Sequence, residues 1–135
     1  MTLIERSEKI YDLLKAAISE AQLYGGEISK IVNRMELLFG DSKDILPNIA
    51  PEVVLIDTMY KERKKSALVK NNMRLVREIV GSDPDYVDLI NIALKFATKR
   101  VVIKQPRYAE PLKAIKTCSH QILGKKIRYD VYVTI

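Results

Sequence analysis

The chain has 135 residues, 47% of them apolar, which suits one domain with a packed core and excludes a disordered tail. Lysine and arginine outnumber the acids 23 to 17, for a net charge of +6, so a polyanion is the natural partner. No apolar run approaches a membrane span, and the opening MTLIERSEK is no signal peptide. One cysteine, Cys118, and one histidine, His120, leave too few soft ligands for a zinc site. The expectation is a metal-free, cytoplasmic chain that forms one domain over 1–135 and makes no use of a membrane.

In chain order, TLIE is a strand over 2–5. A helix follows, because Ile10, Leu13, Leu14, Ala17, Ile18 and Ala21 recur at three-four spacing. Ser7 can cap its start, and Gly25 and Gly26 stop it. EISKIVNR is a short second helix and MELLFG a strand ending on glycine, while DSKDILPNI reads as a loop with at most one helical turn. VVLID is apolar on both faces, as expected of a parallel strand covered on both sides. ALVKNNMRLVREIVG is a helix ended by Gly81, and Asp83 and Pro84 open the next, with Pro84 at its first position. RVVIK is another two-sided strand, and PRYAEPLKAIK is a loop with a short helix. CSHQILG and KIRYDVYVTI close the chain as an antiparallel hairpin turning near Gly124 and Lys125. In the last strand Tyr129, Val131, Val133 and Ile135 alternate with Arg128, Asp130, Tyr132 and Thr134. Strands alternating with helices predict a doubly wound α/β sheet carrying a terminal hairpin.

Such sheets bind ligands beyond the carboxyl ends of their strands. Standing there are Glu5 and Arg6, then Gly40, Asp41 and Ser42, then Asp57 to Tyr60, and finally Lys104, Gln105 and Pro106. An acid at such an end can accept the hydroxyls of a ribose, and Asp41 with Ser42 suits an adenine edge; each acid can equally cap the next helix. Beyond Asp57 the chain turns cationic, with Lys61, Arg63, Lys64, Lys65 and Lys70 against Glu62 alone, an approach for a phosphate backbone. There is no Ser-His-Asp pattern, no P-loop and no G-x-G-x-x-G. Cys118 reads as a small packing residue and His120 as a strand histidine.

LIDTMYKERKKSALVKNNMRLVREIVG, then ATKRVVIKQPRYAEPL and the closing RYDVY, resemble the small-subunit ribosomal RNA guanine-N2 methyltransferases, the methyltransferase J family. The resemblance runs from Leu3 to the end. It implies a class I, Rossmann-like sheet with a C-terminal antiparallel hairpin, S-adenosylmethionine as cofactor and small-subunit ribosomal RNA as partner. It implies that Glu5 and Arg6 hold the cofactor's ribose and that Asp41 and Ser42 lie near its adenine. Asp57 matches the acid of a D-P-M-F motif, beside the methyl donor and the target amine, and Tyr60 its aromatic, on which a flipped base stacks. Thr58 stands where that motif has proline, and Gln105 replaces the family's second base after VVxK. Lys61, Arg63, Lys64, Lys65 and Lys104 are the expected RNA contacts. The family begins earlier than this chain. The expectation is therefore a partial domain, without the first strand and its Gly-rich loop, which would lie between strands 2–5 and 53–57. A complementing polypeptide would then supply that part. The alternatives are a truncated or split non-catalytic remnant with a basic RNA-binding surface, and an unrelated basic RNA-binding α/β module.

Overall fold

The computed structural model describes residues 1–57, 85–110, 112 and 116–135. These fall into two compact units, Met1–Ile45 and Leu46–Ile135. The expected helix after the cationic run and the start of the next at Asp83 and Pro84 lie outside the described residues, as does most of the short helix expected within PRYAEPLKAIK.

The first unit begins with β1 (Thr2–Glu5), α1 (Glu8–Leu23), α2 (Gly26–Val32) and β2 (Glu36–Phe39). β1 and β2 pair in parallel, Glu5 beside Phe39, so both strands end at the same edge. Ser7 takes the N-cap position of α1, but its hydroxyl makes no capping bond. Its backbone N–H instead donates to Glu5 Oε1 at 2.7 Å, which ties the strand-end acid to the entry of the helix without capping it. Gly25 and Gly26, both at positive φ, turn the chain from α1 into α2. The apolar stripe of α1 is only half covered: Ile10, Leu14 and Ile18 are half-buried, while Leu13 is exposed.

DSKDILPNI forms a full helix, α3 (Ser42–Ile49), where a loop with one helical turn at most was expected, and it carries Pro47 inside it. Asp41 explains its start: Oδ1 accepts the Lys43 N–H at 2.9 Å, and its carbonyl accepts the N–H groups of Asp44 and Ile45. Pro47 contributes no N–H to the helix, but Leu46 beside it is buried, and burial outweighs local propensity. Gly40, at φ 145°, precedes this cap. A Cβ there would come within 3.1 Å of Ile45 Cδ1, so the tight entry into α3 favours glycine.

The second unit holds β3 (Val53–Ile56), α4 (Tyr86–Phe96), β4 (Arg100–Pro106), β5 (His120–Leu123) and β6 (Ile127–Val133). The sheet order is β3-β4-β6-β5, with β3 parallel to β4 and the rest antiparallel. The predicted hairpin is present; its turn is closed by the Gly124 N–H donating to the Ile127 carbonyl. Among the described residues, β1 is bonded to β2 alone and β3 to β4 alone, so the strands form two separate sheets.

The core of this unit is Ile56, Ile90, Ala93, Ala97, Val101 and Ile103, where α4 packs on β4. The expected two-sided burial of the third strand is not found. Ile56 is 5% exposed, but Leu55 on the opposite face is 63% exposed and Val53 49%. β4 comes closer to the expectation, with Val101, Ile103 and Gln105 buried and Val102 and Lys104 half-buried. In β6 the alternation is real, but the charged set lies deepest: Arg128, Asp130 and Tyr132 are all buried. No described helix is long and apolar enough to cross a membrane.

Candidate active site

At the carboxyl edge of β1 and β2 stand the four expected cofactor-side residues; Asp41 pairs with Arg6, and Glu5 joins the edge through its backbone. Arg6 Nη1 lies 3.7 Å from Asp41 Oδ2, with Lys43 Nζ also 3.7 Å from that oxygen. The Gly40 N–H donates to the Glu5 carbonyl at 3.0 Å, tying the two strand ends together. Ser42, the fourth, is the first residue of α3 and half-buried. The edge thus presents two carboxylates on parallel strand ends, each oriented by a neighbouring backbone N–H. Carboxylates are acceptors, and a pair held this way fits a ligand rich in hydroxyl and amine donors.

The second unit places Asp57 just past the end of β3. Its Oδ2 accepts a hydrogen bond from Lys104 Nζ on β4 at 2.8 Å. The parallel register Ile56 to Ile103 makes these two residues neighbours one step further on. The bond to Asp57 raises the Lys104 pKa, against a smaller opposing effect of burial. Lys104, expected as an RNA contact, is therefore held at the strand edge by the acid expected to be catalytic. Tyr60, Lys61, Arg63, Lys64 and Lys65 lie outside the described residues.

Beside this edge stands a polar cluster that the sequence reading did not assemble. The Asp130 carboxylate accepts from Arg128 Nε at 2.9 Å, Arg128 Nη2 at 3.1 Å, Gln105 Nε2 at 2.7 Å and Gln121 Nε2 at 2.8 Å. Arg128 Nη1 donates to the carbonyls of Arg107 and Ala109, at 3.1 and 2.6 Å, in the segment leaving β4. Every lone-pair direction of Asp130 is thereby occupied, the condition under which a buried charge is tolerated. The signal in the sequence was R-x-D at strand period, which places both charges on one face. Cys118 donates to the His120 carbonyl, and burial raises its thiol pKa, consistent with a packing role; His120 itself is exposed. Among the described residues no group of three or more His, Cys, Asp or Glu is arranged to hold a metal.

Acids at the ends of parallel strands, and in the second unit a sheet closed by an antiparallel hairpin, suit an α/β fold that binds a nucleotide cofactor. The family described as putative SAM-dependent methyltransferase matches residues 1–134, and the chain belongs to it. Ribosomal RNA small subunit methyltransferase J of Brucella anthropi is 51% identical over 98% of this chain, and that of Agrobacterium fabrum 50%. The chain spans only 65% and 64% of the lengths of these two relatives. A crystal structure of a SAM-dependent methyltransferase from Neisseria gonorrhoeae superposes with a TM-score of 0.75 at 31% identity, covering 98% of this chain and 52% of that one. The Rossmann-like methyltransferase fold implied by the sequence resemblance is thus the observed one.

Proposed function

We propose that this chain carries the acceptor side and part of the donor side of an enzyme that methylates the exocyclic N2 of a guanine in small-subunit ribosomal RNA, using S-adenosylmethionine. The observation that carries this reading is Asp57, fixed by Lys104 at the carboxyl edge of β3 and β4, in a chain similar to proteins named ribosomal RNA small subunit methyltransferase J. When bound, the donor supplies a methyl group activated by a positive sulfur. Glu5 and Arg6 would hold its ribose, and Asp41 and Ser42 would lie near its adenine, at the strand edge where Arg6 and Asp41 pair.

Asp57 does the acceptor's work. A guanine amine is a poor nucleophile because its lone pair is drawn into the ring. Accepting a hydrogen bond from N2–H turns that lone pair toward the methyl carbon and receives the proton released as the N–C bond forms and the C–S bond breaks. Lys104 neutralises one carboxylate oxygen and holds its direction, so the other can serve the amine. Tyr60 offers a face for the flipped base, and Lys61, Arg63, Lys64 and Lys65 follow the phosphates.

Two measurements test this. S-adenosylmethionine titrated into the 135-residue chain by calorimetry should release heat; silence to millimolar ligand supports the remnant reading instead. In an enzyme completed with the relatives' remaining segment, Asp57→Ala should slow methyl transfer to small-subunit RNA by about 100-fold or more, with KM for RNA little changed. Unaltered turnover would remove Asp57 from the mechanism.

A further inference from the structure

Just past the end of β4, Tyr108 leaves 79% of its surface in water, although the segment carrying it is fixed from several sides. The Arg107 N–H donates to the Lys126 carbonyl at 3.0 Å, and the Ala109 N–H to the Pro106 carbonyl at 3.0 Å. The Arg107 side chain donates to the Gly124 carbonyl. Buried Arg128 grips the carbonyls on either side of Tyr108, those of Arg107 and Ala109. Arg107 also sets its guanidinium 5.7 Å from the Tyr108 ring centre, within cation–π range.

Burying an arginine to hold the backbone on both sides of an exposed ring is costly and does nothing for the ring's own burial. The outcome is an aromatic face fixed in solvent, backed by a cation, four residues beyond Lys104 at the same strand end as Asp57. A nucleobase recognises this chemistry: an accessible π-face for stacking, with positive charge beside it for the phosphate. We infer that Arg107 and Tyr108 form a stacking platform for an unpaired base of the RNA, flanking the target guanine, on a backbone held by Arg128. This rests on the RNA reading given above and adds a binding element to it.

The test uses the 135-residue chain and a single-stranded RNA oligonucleotide carrying 2-aminopurine, whose fluorescence is quenched on stacking. Tyr108→Ala should weaken binding about tenfold or more at constant salt and relieve the quenching. Tyr108→Phe should stay within about twofold of wild type, and Tyr108→Leu, with bulk but no π-face, should behave like alanine. The slope of affinity against salt should not change in these variants, since no cation is removed. Thermal unfolding should match wild type for all three, because the ring contributes little burial. If wild type binds and Tyr108→Ala binds equally well, or if alanine and phenylalanine lose equally, the stacking platform is overturned while the RNA reading stands. If wild type binds neither this oligonucleotide nor small-subunit RNA, the RNA reading fails and the platform with it.

Discussion

The two units solve the problem of burial differently. None of the described residues 1–45 is buried, and Leu13, Leu23, Ile28, Ile31 and Phe39 are all exposed apolar side chains. In the second unit, by contrast, Val101, Ile103 and Ile90 are essentially sealed from solvent, and two charged residues are sealed with them. Among its described residues the first unit relies on the β1–β2 pairing, the Asp41 bonds that start α3 and half-covered apolar contacts such as the Tyr11 ring on Phe39. Hydrophobic burial, the dominant favourable contribution to folding, is concentrated in the second. Glu5 and Asp41, proposed for the ribose and adenine, thus stand in the unit with no buried residue, and Asp57, proposed beside both donor and target amine, in the unit with the core.

The largest effect should come from the buried pair. Asp130→Ala leaves Arg128 charged and without its carboxylate, and should cost about 3–5 kcal/mol in urea unfolding. Replacing both as Arg128→Met with Asp130→Leu should recover only part of that loss, since it removes the uncompensated charge but leaves buried Gln105 without its acceptor. A loss below about 1 kcal/mol for Asp130→Ala would break the claim that this cluster anchors the second unit.

Truncation in the two units should differ next. Ile103→Ala, at 1% exposure, should cost about 2–5 kcal/mol, whereas Leu13→Ala, at 64%, should stay within about 0.5 kcal/mol. Hydrogen exchange sharpens the same contrast: amides of β4 and β6 should exchange only on global unfolding, and those of β1 and β2 through cheaper local openings. Equal protection in both would remove the distinction.

Smaller still is Lys104→Met, which breaks a partly exposed ion pair and should cost about 0.2–1 kcal/mol. The alkaline limb belongs with it. Lys104, Cys118 and Tyr132 all have raised pKa values, the first from its bond to Asp57 and the others from burial. For each, the folded state holds its proton more tightly than the unfolded state. The associated stability is complete below the unfolded pKa and is lost as pH rises through the folded one. Denaturation midpoints should therefore fall above about pH 8.5, the ordinary thiol value, and Cys118→Ala should flatten the start of that fall.

Most elements and the ends of the first three strands were legible because they are local, whereas β4 runs two residues past RVVIK, to Pro106. Three-four spacing marked α1, the closing alternation marked β6, and chain order alone put Glu5, Asp41 and Asp57 at carboxyl ends. α3 was underestimated because the burial of Leu46, which favours the helix despite Pro47 inside it, is not a local signal. The two-sided reading of VVLID failed for a related reason: composition shows that Leu55 can be buried, not that anything covers it.

What the sequence determined by itself is the family, the periodicities and the acids that end the strands, since each is written in neighbouring residues. What tertiary structure alone decided is which charges go inside. Asp130 is satisfied by Gln105, 25 residues before it, and by Gln121, nine before it, as well as by adjacent Arg128. A carboxylate enters a core only when its partners arrive together, and here they arrive from three strands whose register no local pattern specifies. The same register delivers Arg128 to the loop that presents Tyr108.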